Sequence, residues 1–211
     1  MRITSGKYKG RIVKMPKGIR PTQGLVRKAL FDILGDIEGL SFLDLFAGSG
    51  VVGLEALSHG AKQVAFVENN SDCLKALRNN FTYLLPTTYY LLPLDVFIAI
   101  KKLSKDKRQF DIIFLDPPYY PESSYSKQRL LGIPKRYRSS RCIRDKGMSK
   151  KTLQTLSLYD ILSPNGFIIV QHFKKDNLPD SLGDLRLFRQ SVYGDTVLSF
   201  YKKRCQQGLS P

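Results

Sequence analysis

The stretch Ser41–Glu68, SFLDLFAGSGVVGLEALSHGAKQVAFVE, constrains the fold more than any other part of this chain. A short apolar run (Phe42, Leu43, Leu45, Phe46) enters a glycine turn (Gly48, Gly50, Gly53). A helical pattern follows, then a second apolar run that ends in an acid. That order spells strand, tight loop, helix and strand. Glycine bends the backbone sharply and carries no side chain, so the loop and the first helical turn can bring N–H groups close to a ligand. Glu68 closes the second strand 24 residues after Asp44, where a carboxylate can accept both hydroxyls of a ribose. A nucleoside-bearing cofactor fits this unit; the plainer alternative is that the glycines only make a tight β–α turn.

The run GSGVVG matches the dinucleotide fingerprint G-x-G-x-x-G, so a dinucleotide oxidoreductase has to be weighed. Asp44 argues against it. A carboxylate at the carboxyl end of the first strand repels a pyrophosphate and attracts a cation. S-adenosylmethionine (SAM) carries an ammonium and a sulfonium at that end of the molecule, and DLFAGSG resembles motif I of the class I methyltransferases.

With 211 residues, 42% of them apolar, the chain can build one full α/β core and a small appendage. No apolar run approaches the ~18 residues of a membrane span, and the start, MRITSGKYKG, lacks the core of a signal peptide. A cytoplasmic protein is expected. Cys73, Cys142 and Cys205 are odd in number and far apart, with two histidines in the chain, which argues against disulfides and against a structural metal. The net charge of +16 is unevenly placed. Residues 41–100 carry 3 Lys/Arg and 5 Asp/Glu, whereas residues 1–40 carry 9 and 3, and residues 101–151 carry 15 and 5. Positive charge flanking a mildly acidic cofactor half suggests a polyanionic substrate held by its phosphates; a solvated basic surface is the bland alternative.

Along the chain, residues 1–18 read as a short basic hairpin with turns at Ser5-Gly6 and Lys9-Gly10, and a helix follows with Leu25, Val26, Ala29, Leu30, Ile33 and Leu34 on one stripe. Asn70 or Ser71 should cap a helix running to about Asn80, with Leu74, Leu77 and Phe81 inward. Thr87–Leu92 should form a third strand leading to Asp95, Val96–Leu103 a helix, and Phe110–Leu115 a fourth strand. Residues 120–151 hold ten Lys/Arg against two acids and read as a long basic insertion. A helix over Lys151–Leu162, a turn at Ser163–Gly166, a strand over Phe167–His172 and a hairpin of Leu185–Val192 with Thr196–Tyr201 complete the pattern. The expectation is one domain over 1–203, with 1–38 as a basic hairpin plus helix, 120–151 as an insertion and 204–211 as a frayed tail.

Asp116-Pro117-Pro118-Tyr119 ends the fourth strand, where open α/β sheets place their sites. An exocyclic amine on a base is a poor nucleophile because its lone pair is delocalised into the ring. The Asp116 carboxylate and the Pro117 carbonyl can accept its two N–H bonds and stabilise the positive charge that grows on transfer. The prolines stiffen the turn, and Tyr119 offers a ring on which a flipped-out base can stack.

DPPY resembles the turn of class I amino-methyltransferases. Together with MRITSGKYKGR, RPTQGLVRKALFDIL and DLFAGSGVVGLEALSHGA, the chain resembles the RsmD family of 16S rRNA (guanine-N2)-methyltransferases over all but the basic insertion. That resemblance implies an α/β Rossmann-like fold, a doubly wound, mostly parallel seven-stranded sheet with a C-terminal antiparallel hairpin and an N-terminal hairpin-helix extension. It implies SAM as cofactor and small-subunit rRNA, assembled or assembling, as partner of a monomer. Carried over, the cofactor site falls on Asp44, Phe46, Gly48, Ser49, Gly50, Glu68, Asn69, Asp95 and Val96. The catalytic turn falls on Asp116, Pro117, Pro118 and Tyr119. Arg20 and Arg27 match basic positions that would meet RNA, and Lys135, Arg136 and Arg138 of the insertion join them. Gly24-Leu25 replace a common Asp-Arg. A DNA amino-methyltransferase or a non-catalytic RNA-binding ribosome assembly factor remains as an alternative.

Overall fold

The computed structural model describes residues 1–16, 24–84, 88–117 and 147–204. In order these form α1 (Gly24–Leu34), β1 (Ser41–Leu45), α2 (Val51–Ser58), β2 (Gln63–Val67), α3 (Ser71–Leu84), β3 (Tyr89–Leu92), α4 (Val96–Lys105), β4 (Phe110–Leu115), α5 (Met148–Leu158), β5 (Leu162–Phe173), β6 (Ser181–Leu182), β7 (Leu185–Tyr193) and β8 (Thr196–Lys203). The strands make one sheet in the order β3-β2-β1-β4-β5-β8-β7-β6. β1 to β5 run parallel, while β8 is antiparallel to β5 and to β7.

β1 is buried along its whole length and β4 nearly so, as central parallel strands covered on both faces must be. Alternation sends Phe42, Phe66, Ile112, Phe114 and Ile169 into a core shared with α1, α2 and α3. Leu43, Leu45, Ala65, Val67, Ile113, Leu115 and Val170 go into a second core shared with α4 and α5. The pairing aligns Leu92, Val67, Leu45, Leu115 and Val170 in one row across β3, β2, β1, β4 and β5. One step beyond that row lie Glu68, Phe46, Asp116 and Gln171. The register thus delivers residues far apart in sequence to one edge of the sheet, at the point between β1 and β4 where the strand order reverses.

Several expectations need adjusting. Among the described residues the sheet has eight strands, because Ser181–Leu182 adds a two-residue strand against β7. Among its described residues the N-terminal hairpin makes a single bridge, Arg2 with Ile12; Ile3 and Val13 are buried in the core and Met1 and Tyr8 pack against it part-buried. Ser163–Gly166 is not a free turn. Phe110 pairs with Leu162 but Ile112 pairs with Phe167, so these residues bulge out within β5, and a Cβ on Gly166 would sit 2.8 Å from the Asp111 carbonyl. α5 accordingly ends at Leu158, before the expected Leu162. The expected helix cap falls on Asn70, whose Oδ1 accepts from the N–H groups of Asp72 and Cys73, and β4 spans Phe110–Leu115 as expected; β3 spans Tyr89–Leu92, and Thr87 of the expected third strand lies outside the described residues. Among the described residues no helix is long and apolar enough to cross a membrane.

Candidate active site

The loop after β1 carries several of the residues expected on the cofactor side. Phe46 has φ 67°, a left-handed conformation that costs a non-glycine residue. Gly48 (φ 57°) follows, and a Cβ added there would meet no atom of the described residues within 4 Å. At Gly50 and Gly53 the missing Cβ serves packing. A Cβ on Gly50 would lie 2.4 Å from Leu77 Cδ2, and one on Gly53 would lie 2.3 Å from Phe66 Cε1. These two glycines let α2 approach β2 and α3 closely, and they set the angle at which the loop leaves the sheet.

Carboxylates, not phosphate-binding N–H groups, dominate this edge. Asp44 is 2% exposed and accepts from the Gly53 N–H at 3.0 Å. Burial pushes its carboxyl up to about 8, against the Gly53 hydrogen bond, and the charges of Asp116 and Glu68 push it the same way as burial. Glu68 accepts from the Gly48 N–H at 2.8 Å through one oxygen, and through the other from the N–H groups of Asn69 and Asn70. One loop donor, the Gly48 N–H, and one donor in the first turn of α2, the Gly53 N–H, are therefore engaged by acids. The arrangement seeks positive charge, and a dinucleotide site is disfavoured by the same geometry.

The remaining expected residues fall as follows. Asp95 caps α4, accepting from the Phe97 N–H at 2.9 Å, and stands beyond the end of β3. Val96 behind it is buried in the second core, Asn69 is exposed, and Ser49 is buried with its carbonyl held by Asn80 Nδ2 at 3.0 Å. Asp116 is half-buried and Pro117 buried at the end of β4. Pro118, Tyr119, Arg20, Lys135, Arg136 and Arg138 lie outside the described residues.

Arg27 is a correction. It is 1% exposed, its Nε donates to Glu55 Oε2 at 3.0 Å, and its Nη2 donates to the Arg2 carbonyl at 2.8 Å. Glu55, 0% exposed, also accepts from the N–H groups of Thr4 and Ser5. This ion pair fastens the N-terminal segment to α1 and α2, so Arg27 is a framework residue with no surface for an RNA phosphate. The basic register around it gave no sign of burial; the one hint was its place on the helix face that carries Leu30 and Phe31.

The sequence reading also missed Gln171. It is 4% exposed, and its Nε2 donates to Asp116 Oδ2 at 3.0 Å. Nothing in the apolar strand FIIVQHF marks it, because the contact exists only through the pairing of β4 with β5.

The family profile described as "Conserved hypothetical protein 95" matches residues 1–134. The chain belongs to this family, the RsmD family. It is 33% identical over 208 residues to a "Putative rRNA methyltransferase YlbH" of Bacillus subtilis, covering 97% of this chain and 100% of the relative. It is 26% identical to "Ribosomal RNA small subunit methyltransferase D" of Escherichia coli strain K12, covering 98% and 91%. Among solved structures, a "Putative methyltransferase yhhF from Escherichia coli" superposes with a TM-score of 0.75 at 26% identity, covering 98% and 99%. The methyltransferase fold expected from DLFAGSG and DPPY is thus the fold of this RsmD-family chain.

Proposed function

We propose that this protein transfers a methyl group from SAM to the exocyclic N2 of a guanine in small-subunit ribosomal RNA. The observation that carries the cofactor half is the buried Asp44 under the charges of Glu68 and Asp116, with the Gly48 N–H of the loop and the Gly53 N–H of α2 already held by acids. Such a site is stabilised by a cationic ligand and destabilised by an anionic one. Asp44, Phe46, Gly48 and Gly50 would hold the charged end, Glu68 and Asn69 the ribose, and Asp95 and Val96 the base. When bound, SAM supplies a methyl group made electrophilic by its sulfonium.

The rest is the work of this chain. Asp116 and the Pro117 carbonyl, rigid at the end of β4, accept the N–H bonds of the target amine and keep its lone pair aimed out of the ring's conjugation. The Asp116 charge offsets the positive charge that develops on nitrogen. Tyr119 stacks the extruded base. Arg20, Lys135, Arg136 and Arg138 take the RNA backbone by its phosphates. The names of the relatives and the charge of +16 support an rRNA acceptor. With that acceptor the reaction would run in the cytoplasm, on assembled or assembling small subunits. Because one chain brings all the described site residues together, a monomer suffices.

Asp116→Ala tests the chemistry: single-turnover methylation should fall ~100-fold or more while SAM affinity stays within a few-fold. Tyr119→Phe should keep most activity, and Tyr119→Ala should lose the ~1–3 kcal/mol of base stacking. An Asp116→Ala protein with the wild-type rate would remove the amino-methyltransferase reading.

A further inference from the structure

Gln171 sits where a leucine would serve the fold better. Its strand neighbours Ile169 and Val170 are fully buried, as is its partner across the ladder, Leu198. The amide nitrogen donates to Asp116 Oδ2 at 3.0 Å, whereas the amide oxygen Oε1 is buried with no hydrogen-bond partner among the described residues. A buried acceptor left unmade is destabilising, and an isosteric apolar side chain would avoid that cost. The amide cannot turn over to relieve it, because Oε1 would then face a carboxylate. Asp116 therefore fixes which end of the amide is the acceptor, and that acceptor stands beside the methylation turn.

Resting on the methyltransferase reading above, we infer that Gln171 is a specificity-determining residue whose Oε1 accepts the N1–H of the target guanine. Methylation of any exocyclic amine needs two acceptors, which Asp116 and the Pro117 carbonyl supply. A third acceptor adjoining them distinguishes the bases. Guanine presents N1–H beside its N2 amine, three donors in a row. Adenine and cytosine present a bare ring nitrogen beside theirs, an acceptor that would face Oε1 without a proton between them. The pairing of Leu115 with Val170, one residue before Asp116 and Gln171, builds this array into the sheet and not into a loop.

The test uses the full-length protein and an rRNA substrate in which the mapped target is either guanine or, by splinted ligation, 2-aminopurine. The analogue keeps the exocyclic amine but has an unprotonated N1. The wild type should methylate guanine faster than 2-aminopurine by roughly 10²-fold or more in single turnover, since a site built to bond a substrate N–H rejects analogues lacking it. Gln171→Leu should be slower on guanine and should discriminate by less than ~10-fold. It should also melt at or above the wild-type temperature and bind SAM with unchanged affinity. Equal discrimination by wild type and Gln171→Leu overturns the inference, and so does a proportional loss on both bases, which would mean that Gln171 only positions Asp116. A wild type that methylates neither base would instead bring down the underlying reading.

Discussion

Replacing Asp44 with asparagine should raise the stability of the ligand-free protein at alkaline pH while weakening its hold on SAM. The Asp44 carboxyl titrates near 3.8 in the unfolded chain and near about 8 in the folded one, raised first by burial and then by the Asp116 and Glu68 charges. Below about pH 4 both states hold the proton and no penalty exists. As pH climbs toward about 8 the unfolded chain has released a proton that the folded chain retains, so stability falls by about 1.4 kcal/mol per pH unit and levels off above the folded value. Between pH 6 and 9 the loss from this one group is about 3 kcal/mol. The D44N variant has no such titration, and its amide oxygen can still accept from the Gly53 N–H that Asp44 holds at 3.0 Å. Urea denaturation of wild type and variant at both pH values reads the difference directly, because ionisations shared by the two proteins cancel. The variant should gain on the wild type by about 3 kcal/mol across the interval, and its SAM affinity should fall ~10-fold or more through loss of the charge-assisted contact. Parallel stability curves, or unaltered SAM binding, would refute the description of Asp44 as a buried acid that a cation relieves.

Two further substitutions separate framework from site. Glu55→Ala should cost about 3–5 kcal/mol in denaturation experiments, because it removes the carboxylate that pairs with the buried Arg27 guanidinium and releases Thr4 and Ser5; a loss under about 1 kcal/mol would mean the N-terminal segment is held otherwise. Glu68→Ala should weaken SAM binding by about 1.5–3 kcal/mol in calorimetry, losing the proposed ribose acceptor and slackening Gly48 and Asn69; unchanged affinity would remove Glu68 from the site.

The parts of this protein that were legible in its sequence are those set by local rules. The unit β1–α2–β2 follows from apolar runs and glycines, β4 from the apolar run Ile112–Leu115 bounded by Asp116-Pro117, and the α3 cap from Asn70. Features created by pairing were not legible. Ser163–Gly166 carries every mark of a turn, yet β4 captures Leu162 on one side of it and Phe167 on the other, which makes it a bulge. Arg27 belongs to a basic segment, and only Glu55, 28 residues away on another helix, turns it into a core residue. Gln171 lies 55 residues from Asp116, and register alone joins them. The candidate site shows the same division. Its acids at Glu68, Asp95 and Asp116 follow strand ends, Asp44 is the penultimate residue of β1, and all four could be placed from the sequence. The repulsion of Asp44 by Asp116 and Glu68, and the capture of the Gly48 and Gly53 donors, required the sheet.

The most direct measurement is nucleoside analysis of small-subunit rRNA from a strain lacking this gene, before and after incubation with the purified protein and labelled SAM. Labelled N2-methylguanosine should appear at one position, absent beforehand, and the Asp116→Ala protein should leave that position unmodified. Label on another base or another guanine atom, or incorporation into duplex DNA and not into rRNA, would contradict the account.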